Sequence, residues 1–190
     1  MSEEKFWGRI HVRLKGLTPL LMNRLSQDAL QTKSRRKLEE VDFEQQAAEA
    51  AYIDVIDGKK QLYIPNYAVY AMIINTAKQY RSRRMPLSSL LAGTIRIEPE
   101  KIPLGTDKYE IDVRPVVIQK SRVLKARPRI DNWTIEFDIV YYKKFLHESV
   151  ISTLKTILED AGIRIGLLDY RPQHMGWFGT FTVEEFKVKE

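Results

Sequence analysis

Few side chains in this sequence have the type and placement needed to move a proton, attack a substrate or hold a metal. The candidates for acid or base chemistry are His11, His147 and His174. An acid–base reaction would need one of them as a positioned general base or acid, and His11 and His147 are the better placed, because His174 falls in a loop-like stretch. Histidine is equally at home as a surface residue or at a helix start, so catalysis is not the expectation. The three are far apart in sequence and show no metal-ligand spacing, and with 0 Cys there is no thiolate site, disulfide framework or cysteine nucleophile. There is no phosphate-cradling Gly-Lys-Ser/Thr loop, Gly-x-Ser-x-Gly elbow, dinucleotide fingerprint or His-Glu-x-x-His helix, which disfavours an ordinary metabolic enzyme. No cofactor and no metal are expected.

The cations carry more information. The 190 residues have a net charge of only +6, but four stretches contain no Asp or Glu: Arg9 to Lys15, Lys33 to Lys37, Arg81 to Arg84 and Arg114 to Arg129. They hold 16 of the 31 basic residues, and the other 15 stand against all 25 acidic residues, a balance of −10. A basic subset on an acidic body is the footprint of a polyanion-binding surface, since each neutralised phosphate releases condensed counterions. Any one such run can be a plain solvated loop; four together weaken that explanation. The expected nucleic-acid contacts are Trp7, Arg9, His11, Arg13 and Lys15 on the first strand; Lys33, Arg35 and Arg36; Arg81, Arg83 and Arg84; Arg114, Lys120, Arg122, Lys125, Arg127 and Arg129; and Tyr170 with Arg171, as a stacking ring and a phosphate contact.

These residues must be positioned by ordinary elements. Phe6 to Leu17 alternates strictly, with Ile10, Val12 and Leu14 on a dry face and Trp7, Arg9, His11, Arg13 and Lys15 on the other. Such a polar face suits stacked bases and phosphates, and equally an edge strand that uses charge against aggregation. Leu20 to Leu38 reads as a long basic loop. Asp42 can N-cap a helix through FEQQAAEAAYI, Asp57-Gly58 makes a turn, Gln61 to Ile64 is a short strand, and Pro65-Asn66 starts a helix that ends near Tyr80. Leu87 to Leu91 is helical and Thr94 to Glu98 a strand.

RPVVIQKSRVLKARPRI reads as a β-hairpin or extended arm with cations on both limbs. Trp133, Ile135, Phe137, Ile139 and Tyr141 mark one side of a strand, the strongest β signal in the chain. A helix follows from about His147 to Ala161, with Gly162 as its cap, and Ile163 to Leu167 is expected to be a strand completing a βαβ unit. Asp169 to Gly179 is a glycine-punctuated loop in which Trp177 and Phe178 are read as core, and Phe178 to Lys187 is a last strand. The whole is an α+β chain, read as a single domain over 1–190 with an arm inserted at 99–130. Its apolar runs are far shorter than the roughly 20 residues that cross a bilayer, so a cytoplasmic protein with no membrane partner is expected.

The polar-faced first strand, the Tyr63-Ile64-Pro65 segment launching a helix, and the C-terminal βαβ unit with Gly162, Gly166, Gly176 and Gly179 resemble the RAMP superfamily, the repeat-associated mysterious proteins of CRISPR systems. The basic arm and the Ile-Pro-led helix look most like the backbone subunit that coats guide RNA. The resemblance implies a ferredoxin-like or RRM-like antiparallel sheet with helices on one face and an extended basic hairpin. It also implies non-catalytic binding along single-stranded nucleic acid, RNA favoured over DNA, with assembly into a homo-oligomer or with related effector subunits. Some target-cleaving subunits of that branch carry a metal-assisting aspartate where Asp28 stands. Three other readings remain: a RAMP-type endoribonuclease, a viral or mobile-element single-strand-binding protein, and an interaction subunit whose arm docks an acidic protein.

Overall fold

The computed structural model describes residues 6–25, 42–82, 85–118 and 121–189. In chain order these form β1 (Trp7–Gly16), β2 (Leu20–Leu21), α1 (Phe43–Ala50), β3 (Ile53–Ile56), β4 (Lys59–Pro65), α2 (Asn66–Ala77), β5 (Arg81–Ser82), β6 (Met85–Pro86), α3 (Leu87–Ala92), β7 (Ile95–Glu98), β8 (Lys101–Pro103), β9 (Glu110–Ile118), β10 (Ser121–Ile130), β11 (Thr134–Tyr142), α4 (Glu148–Arg164) and β12 (Phe181–Lys189). The architecture is α+β with antiparallel sheets.

The main sheet has the order β12-β1-β11-β7. β1 is central and antiparallel to both neighbours, burying Ile10, Val12 and Leu14 opposite Ile139, Phe137 and Ile135 of β11. Strict alternation places these residues on one face, where α2 and α4 close the core through Val69, Ile73, Leu154 and Ile157. This is the ferredoxin-like arrangement, with two helices on one side of a four-stranded sheet.

Local chemistry fixes several boundaries. Asp42 caps α1, its carboxylate accepting from the backbone amides of Glu44 (2.9 Å) and Gln45 (3.1 Å). The helix stops at Ala50, short of the expected run, because the chain enters β3 at Ile53, where the β-branched Ile53, Val55 and Ile56 favour extended backbone. Asp57 (φ 51°) and Gly58 (φ 76°) make the two-residue turn to β4, both in the left-handed region that such hairpins need. α2 starts directly after Pro65, and Asn66 docks that start on the sheet by donating from Nδ2 to the carbonyl of Ile97 (2.9 Å). It ends at Ala77, one turn before Tyr80.

The C-terminal unit differs from expectation, its last strand beginning at Phe181 rather than Phe178. Ile163 to Leu167 is not a strand: α4 continues through Gly162 to Arg164, and Gly166 (φ 72°) ends it, its amide donating to Ala161 O (2.8 Å). Gly162 serves packing instead, since a Cβ there would lie 2.2 Å from the carbonyl oxygen of Phe181. The returning strand of the βαβ unit is β12, separated from β11 by β1. The chain after β1 also departs from a plain loop, because Leu20 and Leu21 pair with Ile130 and Arg129 of the arm and, with Met22, are buried. The arm itself forms as expected, β9 and β10 pairing from Ile118 and Ser121 down to Glu110 and Arg129.

Candidate nucleic-acid interface

Trp7, Arg9, His11, Arg13 and Lys15 share the open face of the main sheet, but neighbouring strands bring acid beside them. The register sets His11 against Asp138 and Arg13 against Glu136 of β11. Arg9 reaches Glu98 (2.8 Å) and Asp138 (3.4 Å), Arg13 bridges Glu136 (3.2 Å) and Glu184 (3.1 Å), and Lys15 lies 3.5 Å from Glu184. His11 Nδ1 is 3.2 Å from Asp138 Oδ1 and its Nε2 is 3.8 Å from Glu136, while Lys189 holds the same Asp138 at 2.8 Å. Burial would push the Asp138 carboxyl up; hydrogen bonds and charge from Lys189 and His11 outweigh it and hold the group below its ordinary value. Trp7 lies under the Arg96 guanidinium (4.8 Å) and against Tyr142 (5.4 Å). The picture of a bare cationic platform is corrected: this face is an ion-pair lattice, because Glu136, Asp138 and Glu184 arrive from strands remote in the chain.

The arm and the glycine loop behave differently. On the hairpin face that carries Asp112, Arg114, Lys125, Arg127 and Arg129, Arg114 stands directly opposite Lys125, and Arg127 opposite Asp112. Like charges across a strand pair are unfavourable without a compensating anion. Arg114 binds the Asp112 carboxylate in bidentate fashion (2.6 and 2.9 Å) and lays its guanidinium over the ring of Phe178 (4.8 Å) in the loop. Arg127 is 5% exposed, and its Nε faces Asp169 Oδ2 at 3.2 Å, neither atom making a well-aligned hydrogen bond. Arg129 pairs with Asp131 (2.6 Å). Lys125 is half-buried and, among the described residues, has no ion-pair partner. Burial and then the charge of Arg127 lower its pKa, against the pull of Asp169.

The loop that meets this face is held by its own backbone. The amide of Asp169 donates to Leu21 O (3.0 Å), that of Phe178 to Tyr170 O (3.1 Å) and that of Gly176 to Arg171 O (3.1 Å). Gly176 has no alternative, since a Cβ would sit 1.7 Å from Tyr170 O. Leu168, Tyr170 and Met175 all adopt positive φ, between 51° and 59°, a concentration of left-handed non-glycine residues that packed surroundings must enforce. Arg171 donates to Leu168 O (2.5 Å) and to Gln173 Oε1 (3.1 and 3.2 Å), and burial lowers its pKa against the pull of Asp169.

Phe178 is buried as expected, but Trp177 is not core: it is 53% exposed, packed on one side against Phe178 (4.6 Å) with Arg114 at 6.0 Å. Tyr170 is also exposed and sits 6.0 Å from Phe178. On the α2 side of the loop a cleft of about 290 Å³ is lined by Asn23, Tyr52, Tyr67, Met72, Asp169 and Arg171. Tyr67 donates to the Tyr52 hydroxyl (3.4 Å), and burial pushes the Tyr52 phenol well above its ordinary value.

The structure therefore brings together Arg114, Lys125, Arg127, Tyr170 and Arg171. Arg122 is exposed on the opposite face of the arm, and Arg81 is exposed on the β5–β6 ribbon. Lys33, Arg35, Arg36, Arg83, Arg84, Lys120 and Asp28 lie outside the described residues. Sequence reasoning missed Asn23, Tyr52, Tyr67 and the exposure of Trp177; only the Gly176 and Gly179 flanks of Trp177 hinted that its segment is a surface loop. His147 precedes α4 with no side-chain capping bond, and His174 ends a one-turn 3₁₀ helix, Pro172–His174. Among the described residues no three His, Cys, Asp or Glu side chains are grouped to hold a metal, and no helix is long and apolar enough to cross a membrane.

No protein-family model matches this chain, and no curated protein matches it. Its fold is similar to that of a chain in the cryo-EM structure of the Type III-B Cmr-beta bound to cognate target RNA. The TM-score is 0.65 at 12% identity, covering 98% of this chain and 62% of that chain. The chain thus spans about three-fifths of the length of that neighbour. At this identity the likeness is one of fold, and it agrees with the α+β antiparallel architecture that the sequence suggested.

Proposed function

We propose that this protein binds single-stranded nucleic acid, RNA in preference to DNA, as a non-catalytic subunit that assembles along the strand in the manner of a CRISPR effector backbone subunit. The observation that carries the reading is the place where the arm meets the glycine loop, at which Arg114, Lys125, Arg127 and Arg171 stand around two carboxylates, Asp112 and Asp169. Lys125 is the focus: a half-buried cation facing a second cation gains most from an added anion, and a phosphate supplies one. The fold neighbour supports the reading, since it belongs to an assembly that holds RNA.

Assembly has its own support. The arm face opposite Lys125 exposes Val113, Val117 and Leu124 beside Arg122, apolar surface that a neighbouring subunit can cover. The non-catalytic part takes His11, whose ring lies between Asp138 and Glu136, as a member of the ion-pair lattice. Incubating the protein with end-labelled single-stranded RNA, with and without divalent metal, tests the proposal. Retention of intact RNA is expected. Cleavage lost in His11→Ala or His147→Ala would replace it with the endoribonuclease reading.

A further inference from the structure

The chain has three tryptophans, and their environments differ. Trp133 is buried and donates from Nε1 to Thr18 O (2.9 Å), and Trp7 is covered by Arg96. Trp177 alone presents an open ring, 53% exposed, on a loop whose backbone is fixed around it. Phe178 supports the ring from the protein side at 4.6 Å with an interplanar angle of 35°. Leaving so large an apolar surface in water forgoes stabilisation that burial would provide. The position makes sense if a partner covers the ring.

The surroundings select the partner. Trp177 is bordered by Arg114, whose cross-strand neighbour is Lys125, and that hairpin face continues to Arg127. A protein segment that covered the indole with aliphatic side chains would leave Lys125, the cation of this face with no ion-pair partner among the described residues, uncompensated. A nucleotide offers a flat ring for the indole and a phosphate for the cations. We propose that Trp177 is a base-stacking position, at which a nucleobase of the bound single strand lies on the exposed indole face while its phosphates run along Arg114 and Lys125. The inference rests on the nucleic-acid reading above and adds to it that bases, and not the backbone alone, are engaged.

Binding of the full chain to a fluorescein-labelled oligouridylate and to an abasic oligomer of the same length, read by anisotropy, tests it. Wild type is expected to bind the oligouridylate about ten-fold more tightly than the abasic strand, and Trp177→Ala to bring the two to parity. Trp177→Phe keeps a ring and retains most of the preference, which separates stacking from a folding defect. Equal affinity of wild type for both strands would overturn the stacking proposal while leaving phosphate binding intact. So would a Trp177→Ala loss that is the same on both strands, which would make the residue a loop support. Failure of wild type to retain either strand at low salt would instead overturn the nucleic-acid reading itself, and capture of the loop by a protein with no oligonucleotide binding would do the same.

Discussion

Arg127 and Lys125 are two residues apart on one strand face and have opposite fates. Arg127 is almost fully buried and neutralised by Asp169, so it belongs to the structure that joins arm to loop. Asp169→Ala removes its only ion-pair partner among the described residues and should destabilise the fold by about 3–5 kcal/mol in urea unfolding. Arg127→Met in the same chain should restore part of the loss, because the uncompensated charge goes with it. Lys125 has no such partner, and Lys125→Ala should leave stability nearly unchanged while making the log–log salt slope of RNA binding shallower by about 0.7. Arg13→Ala is the control: with two glutamates already on its guanidinium, its removal should leave that slope as it was. Equal slope changes for the two lysine and arginine variants would deny the arm–loop surface its special place.

Elements show where packing overrides local signals. Asp42 at the head of α1, Asp57-Gly58 in its turn and the β11 alternation were legible because each is decided by residues within one or two turns of chain. Gly162 and Gly166 both stand where a helix can end, and nothing local chooses between them; the close approach of Phe181 O does. Gly162→Ala, which propensity alone would favour by about 1 kcal/mol, is therefore expected to destabilise by about 1–3 kcal/mol, read as a lowered Tm. On the arm, the double variant V117K/L124K should leave binding to a short oligomer intact and abolish long assemblies on a long strand in electron micrographs. Val117 is 69% and Leu124 53% exposed, so the change should not disturb the monomer.

Across the whole molecule the charge pattern was half legible. Arg114, Lys125 and Arg127 of the arm share one face near Arg171, Arg122 points to the other, and the cations of β1 do not stay free, since β-sheet pairing is non-local and its partners Glu136, Asp138 and Glu184 lie more than 100 residues away. The lattice they form is a stability device with a definite pH signature. The folded Asp138 carboxyl is depressed, so its contribution is present in full above the ordinary carboxylate pKa of about 4 and is lost as pH falls through the folded value. Denaturant unfolding across pH 2–6 should show this loss, and Asp138→Asn should flatten it. The Trp177 loop departs from the sequence expectation for a related reason: an aromatic pair in a sequence looks like core, and only the three-dimensional course of the loop turns Phe178 inward and Trp177 out.

The central claim is that the surface where arm and loop meet takes a chain of phosphates. Equilibrium binding of the wild-type protein to a single-stranded oligoribonucleotide, followed over a series of salt concentrations, tests it most directly. The account predicts a linear fall of log affinity with log salt, at about −0.7 per phosphate contacted and summing to several contacts per subunit. Affinity that does not change with salt, or no binding at the lowest salt, would contradict it.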